Sequence, residues 1–331
     1  MRRGTGVARW LSLAGWIVCA LAGAPDVIAA GNGAARPLSC GNTRSWLVPF
    51  ATAPFPYDGP IPGKGVPFLD REEDGRRGHT SPRGGVYWEN PTYSDNRVLL
   101  SVPAGFDPGR PAAMVLYFHG NSATLERDVC RKQRVPQQVA ASGLNAVLVA
   151  PQLARDALDS SAGRFWEANA LRSFLDEAAA RLGELTGQSG YRSIPVIVVA
   201  YSGGYLPAVY GLEIGGAGER IQGLVLMDAL FGEVERFAEV VAAKRSIFVA
   251  SAFSGSSKGQ NAQFRRMLSE RGVETGAGLP DAFRPGTVTL IPSASSVGHA
   301  DFMTRAFAAD PLTVILGRVE GSASGPRGRR R

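Results

Sequence analysis

The sequence predicts an α/β fold, with a mainly parallel central sheet and helices on both faces. Three observations predict it. Seven apolar-rich segments of five to seven residues recur between positions 97 and 291, among them the continuous run "AAMVLYF", the pattern of strands buried on both faces. Segments with apolar residues at helical spacing lie between several of them. The alternation has no internal repeat and no natural break, which favours one continuous domain. Strands that alternate with helices need crossover connections, and those make a sheet mainly parallel. The chain has 331 residues, 44% hydrophobic and 20% charged, enough apolar material for one large core.

The first segment, 1–29, reads as a secretory signal peptide. Arg2, Arg3 and Arg9 precede the uncharged stretch "WLSLAGWIVCALAG", and "VIAA" offers small residues for cleavage after Ala29. The apolar stretch is short for a bilayer span, which disfavours an uncleaved anchor. Cleavage removes three arginines and one aspartate and takes the net charge from +7 to +5. The chain is therefore expected to be exported, periplasmic or secreted, without stable membrane insertion after cleavage. Cys19 leaves with the signal, and Cys40 and Cys130 remain. An even pair in an oxidising compartment is compatible with a disulfide, and equally with one buried and one free thiol.

Residues 30–96 are rich in Pro, Gly and charge, as in "PFPYDGPIPGKG" and "REEDGRRGHTSPRGG". They read as an extended N-terminal arm and loops packed on the core. His79, inside the charged stretch, is expected to be solvated. The catalytic domain is placed at 97–316. Its expected strands are 97–102, 112–118, 145–150, 195–200, 223–227, 246–250 and 287–291, and its clearest helices 165–185, 233–244 and 261–272. Segment 123–142 is ambiguous, because Pro136 interrupts one long helix or opens a short one. The last segment, 317–331, ends in "GPRGRRR" and reads as a basic tail in solvent.

Ligands of such sheets bind beyond the carboxyl ends of the strands, so the residues just after each apolar run carry the functional argument. A nucleophile elbow needs small residues two before and two after its serine, because the backbone turns sharply there. "AYSGG" at Ser202, "GSSKG" at Ser257 and "ASSVG" at Ser296 match. Only Ser202 stands directly behind an apolar run and before a segment able to descend as a helix. Its hydroxyl needs a base, and the base needs an orienting group. Of the three histidines, His299 follows the last strand in "SVGHADF", where it can reach the Ser202 hydroxyl. Asp228, directly after the run "GLVLM", is the favoured acid; the next run is followed by "SAFSGSSKGQN", which holds no carboxylate.

"YFHGN", "AYSGGY", "LMDALFG" and "SVGHADF", in this order, resemble the α/β-hydrolase superfamily over residues 97–310. The resemblance implies Ser202 as nucleophile, His299 as general base and acid, and Asp228 as the orienting carboxylate. It also implies an oxyanion hole formed by the backbone N–H groups of Asn121 and Gly203, with His119 a structural residue of that turn. Two features depart from the commoner pattern: Ala200 where glycine is more familiar, and an acid one strand early. The expected reaction is ester cleavage through an acyl-enzyme, with an amide as second choice and a non-catalytic binding protein as the rival of another class. No cofactor or metal is required. The expected partner is a small-molecule or acyl substrate; export and the lack of a motif argue against nucleic acid, and oligomeric state is not legible. Phe165 and Trp166 are candidates to line an acyl pocket, though they also fit as first core contacts of their helix. Asp156 and Asp159 read as solvated loop carboxylates.

Overall fold

The structure is a computed structural model that describes Met1 and residues 33–320. Apart from Met1, the proposed signal peptide with Cys19 lies outside the described residues, as does the arginine-rich end 321–331. The strands are β1 (Arg36–Ser39), β2 (Thr43–Pro49), β3 (Arg71–Glu73), β4 (Arg76–Thr80), β5 (Val86–Trp88), β6 (Arg97–Pro103), β7 (Ala113–Phe118), β8 (Ala146–Pro151), β9 (Val196–Tyr201), β10 (Ile221–Met227), β11 (Phe248–Phe253), β12 (Gly276–Ala277) and β13 (Val288–Pro292). The helices are α1 (Val135–Ala141), α2 (Ala170–Thr186), α3 (Tyr205–Glu213), α4 (Val234–Ala243), α5 (Lys258–Glu270), α6 (Phe302–Arg305) and α7 (Pro311–Leu316).

Each of the seven expected strands is present, with ends shifted by three residues at most. They belong to one ten-stranded sheet in the order β1-β2-β6-β8-β7-β9-β10-β11-β13-β12. From β8 to β12 every neighbouring pair is parallel. The pairs β1–β2, β2–β6 and β6–β8 are antiparallel.

The apolar runs are continuous because the sheet is covered twice. In β9, Val196, Val198 and Ala200 join a core with α2, α3, α4 and α5. Ile197, Val199 and Tyr201 alternate with them into a second core, beneath α1, α6 and α7. Period-two alternation thus reads as an unbroken apolar run when both faces are dry.

Several boundaries differ from expectation. Residues 30–96 are more than an arm. Residues 36–49 supply two strands of the main sheet, and β3, β4 and β5 form a separate antiparallel sheet. "RSWLVPF" forms a strand because Leu47 and Val48 each find one of the two cores. Segment 123–142 splits. Leu125–Lys132 winds with wide i→i+5 bonds, and Pro136 sits in the first turn of α1, where its missing N–H costs little. Helix α2 starts at Ala170 and not at 165, because Asn169 adopts φ +64 and resets the chain direction. Residues 317–320, assigned to the tail, pack on the core: Val319 is buried and bridges Phe283. Cys40 and Cys130 form a disulfide, tying the residue after β1 to the segment before α1.

Candidate active site

Ser202 follows β9 without a spacer and holds φ +52, a left-handed conformation uncommon for a residue with a side chain. The turn lifts Oγ off the carboxyl edge of the sheet before α3 descends. It tolerates no bulk beside it. A Cβ on Gly203 would overlap Asn121 Oδ1. One on Gly120 would stand 2.7 Å from the Ser202 Cβ. The two glycines let the loop after β7 and the turn after β9 touch, which sets Asn121 beside Gly203. Among the described residues neither the Asn121 nor the Gly203 N–H donates to a backbone carbonyl across a turn or loop, whereas the N–H after Asn121, that of Ser122, donates to Ala157 O at 2.7 Å.

His299 comes from the loop after β13. Its Nε2 lies 2.7 Å from Ser202 Oγ and its Nδ1 lies 2.7 Å from Asp228 Oδ2. Asp228, buried at the end of β10, accepts at Nδ1–H, and that tautomer leaves Nε2 free to accept from the serine hydroxyl. The imidazole is held on two sides: Tyr201 stacks on it at 5.2 Å and Phe231 meets it edge-on at 5.3 Å. The Tyr201 hydroxyl also donates to the His299 carbonyl oxygen at 2.9 Å. Burial raises the Tyr201 pKa, so the phenol keeps the proton it donates. In the sequence Tyr201 registers only as the elbow's variable position.

The carboxylate has a setting the sequence did not announce. Asp228 Oδ1 accepts from Ser254 N–H at 3.0 Å and from Ser257 Oγ–H. Oδ2 accepts from Ser254 Oγ–H at 2.6 Å and Ser256 Oγ–H at 3.2 Å, in addition to His299. Burial alone would push its carboxyl pKa up. The bonds from His299, Ser254 and Ser257 outweigh burial and hold it well below the usual carboxylate range. The stretch "SAFSGSS", from the end of β11 into the turn that follows, thus lacks an acid because it supplies the donors for one. Ser257, which matches the elbow pattern by sequence, belongs to this clamp. Ser296 remains in the loop before His299 and lies outside the Ser202 hydrogen-bond chain.

His119 is fully enclosed. Its Nε2 accepts from Leu153 N–H at 2.9 Å, which leaves Nδ1 as donor to Gly120 O at 2.7 Å. Burial lowers its pKa, so it is a neutral brace of the turn that carries Asn121. His79 is not solvated: it is buried, with Nδ1 2.7 Å from Phe68 O and its ring stacked on Phe68 at 4.3 Å. Asp159 is buried as well, accepting from Tyr93 OH at 2.9 Å and Ser161 Oγ at 2.9 Å. Both corrections have one cause: residues 51–96 fold over this rim as a cap. Asp156 stays near the surface, paired with Arg127 at 2.7 Å.

A cavity of about 390 Å³ opens over Ser202, His299, Tyr201 and Asn121. Phe165 does not reach it. It is buried between Phe118 and Phe174, at 5.5 and 5.3 Å, because the short turn Gly163–Trp166 points it into the core. Trp166 lines a neighbouring cavity of about 280 Å³. No group of three or more His, Cys, Asp or Glu side chains able to hold a metal occurs among the described residues.

No family model matches the sequence, and no curated protein matches it. Solved structures do resemble the fold. One is an S-formylglutathione hydrolase from Agrobacterium tumefaciens, at 10% identity and TM-score 0.46, covering 85% of this chain and 98% of that one. Another is an S954A mutant of the feruloyl esterase module from Clostridium thermocellum, in complex with sinapinate, at 13% identity and TM-score 0.43, covering 80% and 95%. A third is brefeldin A esterase, a bacterial homologue of human hormone sensitive lipase, at 15% identity and TM-score 0.39, covering 78% and 77%.

Proposed function

We propose that this chain, an α/β-hydrolase in fold, is an exported serine hydrolase that cleaves a carboxylic ester through Ser202, His299 and Asp228. One observation carries the reading: the unbroken hydrogen-bond chain from Ser202 Oγ through the His299 ring to Asp228. Three side chains far apart in sequence meet in the order that moves a proton off a serine.

In this reading Ser202 Oγ attacks the ester carbonyl carbon while its proton passes to His299 Nε2. The carbonyl π pair moves to oxygen, and the backbone N–H groups of Asn121 and Gly203 donate to that oxyanion. Each such donor is worth about 3–4 kcal/mol of barrier in comparable sites. The imidazolium is stabilised by Asp228, which stays ionised at working pH because its pKa is depressed. As the tetrahedral centre collapses, the C–O bond to the alcohol breaks and Nε2–H protonates the leaving oxygen. Water then attacks the acyl-serine, giving its proton to Nε2; collapse releases the acid and returns the proton to Ser202.

Export is supported by the Cys40–Cys130 disulfide, a bond that persists in oxidising compartments. The test is hydrolysis of p-nitrophenyl esters of graded chain length by the mature protein. Turnover that disappears in Ser202→Ala and in His299→Ala, with folding intact, is expected. Equal turnover in wild type and Ser202→Ala would remove Ser202 from the chemistry.

A further inference from the structure

The cavity over Ser202 has a neighbour, and Arg83 lines both. Ser160, on the wall of the second, donates through Oγ–H to Asn121 Oδ1 on the wall of the first at 3.0 Å. The second cavity, about 280 Å³, has an apolar wall of Ile61, Pro62, Trp166, Tyr205, Leu206 and Tyr210. It is large enough for a short aliphatic or single-ring group.

The charges around the two cavities are unequally satisfied. Every carboxylate on their walls has a partner within the chain. Asp159 accepts from Tyr93 and Ser161, at 2.9 Å each. Glu233 pairs with Arg236 at 3.1 Å, Asp128 with Arg127 at 2.8 Å and Asp301 with Arg305 at 2.6 Å. The cations Arg83, Lys64 and Lys132 on the same walls have no acidic partner among the described residues. The uncompensated charge at this rim is therefore positive. The backbone turn that carries Arg83 is anchored. It lies between β4 and β5, where Ser81 N–H donates to Gly85 O at 3.0 Å. Ser81 Oγ–H donates to Leu158 O at 2.7 Å and Tyr87 OH accepts from Leu158 N–H at 3.2 Å, pinning the hairpin to the active-site loop.

We propose that the two cavities receive the two arms of the scissile ester, and that the arm lodged against Trp166 and Tyr205 bears a carboxylate held by Arg83, with Lys64 beside it. This rests on Ser202 being the nucleophile. A guanidinium matches the planar fork of a carboxylate, and the apolar wall receives the chain or ring that carries it. Arg83 is then a specificity residue, remote from the bond that breaks.

Two matched substrate pairs test this at low ionic strength. p-Nitrophenyl hydrogen adipate against p-nitrophenyl hexanoate puts the carboxylate on the acyl arm. 4-Acetoxybenzoate against 4-acetoxybenzamide puts it on the leaving arm. In one pair the anionic member is expected to have a kcat/KM about tenfold higher or more, the scale of one charge-assisted bond. Arg83→Gln should bring that ratio close to one, mainly through KM, and Arg83→Lys should restore part of it. Salt near 1 M should shrink the wild-type ratio, because charges on an open rim are screened. Ratios near one in both pairs with active wild-type enzyme, or a preference that survives Arg83→Gln, overturn this inference and leave the nucleophile assignment standing. No turnover of any of the four esters, with no covalent labelling of Ser202 by a fluorophosphonate, overturns both.

Discussion

Replacing Ser254 by alanine isolates what holds the acid. The substitution removes the hydroxyl that donates to Asp228 Oδ2 at 2.6 Å and keeps the backbone N–H that donates to Oδ1 at 3.0 Å. Asp228 is buried, so water does not replace the lost donor. A hydrogen bond to a charged buried group is worth about 1.5–3 kcal/mol, and that is the expected loss of stability at neutral pH. The sign with pH follows from linkage. The folded pKa of Asp228 is depressed, so its contribution is complete above the unfolded value of about 3.9 and is lost as pH falls towards the folded value. In Ser254→Ala the depression is smaller, and the variant has less to lose. The unfolded value is common to both proteins, so the stability gap between them should stay full from neutral pH through pH 4 and close only as pH falls below the variant's folded pKa towards the lower wild-type one. Urea unfolding followed by tryptophan fluorescence at pH 7, 5 and 4 reads the size and constancy of the gap directly. A gap that is absent at pH 7, or that already closes between pH 7 and 5, would show that the hydroxyl does not serve the carboxylate.

Asp228→Asn keeps the shape of the acid but can present its amide N–H to His299, favouring the wrong tautomer. Hydrolysis should fall by about 10³–10⁴-fold with the chain still folded, though less stable because donors to Oδ2 lose their acceptor, and near-normal turnover would place the acid elsewhere. Gly203→Ala forces a methyl into Asn121 Oδ1, and kcat is expected to drop by about 10²-fold or more as the oxyanion donors move apart. Retained kcat would separate that contact from catalysis. Exchanging Cys40 and Cys130 for serine frees a loop of 90 residues, a loss of about 4–5 kcal/mol in the chain-entropy model. Urea titration of the double variant under oxidising conditions measures it, and an unchanged midpoint would show that the bond adds nothing to stability.

The strands were legible because burial on both faces forces apolar residues into unbroken runs, as in "PVIVVA" before Ser202. The meeting of Ser202, His299 and Asp228 was legible because each stands directly after, or in the loop following, one of those runs. The serine clamp was not. Hydroxyls in "SAFSGSS" carry no charge or period, and they reach Asp228 only because β10 and β11 pair with Met227 opposite Ala252. The burial of His79 and Asp159 was hidden for another reason. Residues 51–96 pack Phe55, Phe68 and Tyr93 into the core from a stretch otherwise rich in charge, Pro and Gly, and such spacing has no helical or strand period to read. Phe165 illustrates a third limit: a single aromatic at the start of a helix fits core and pocket equally until its turn is known.

The central claim is that the hydroxyl of Ser202 is a nucleophile activated by His299. Labelling of the folded protein with a fluorophosphonate, followed by mapping of the modified peptide by mass spectrometry, tests it most directly. One phosphonyl group on Ser202, lost in Ser202→Ala and strongly slowed in His299→Ala, is the predicted result. Folded wild-type protein that takes up no probe, or takes it up on Ser257 or Ser296, would contradict the account.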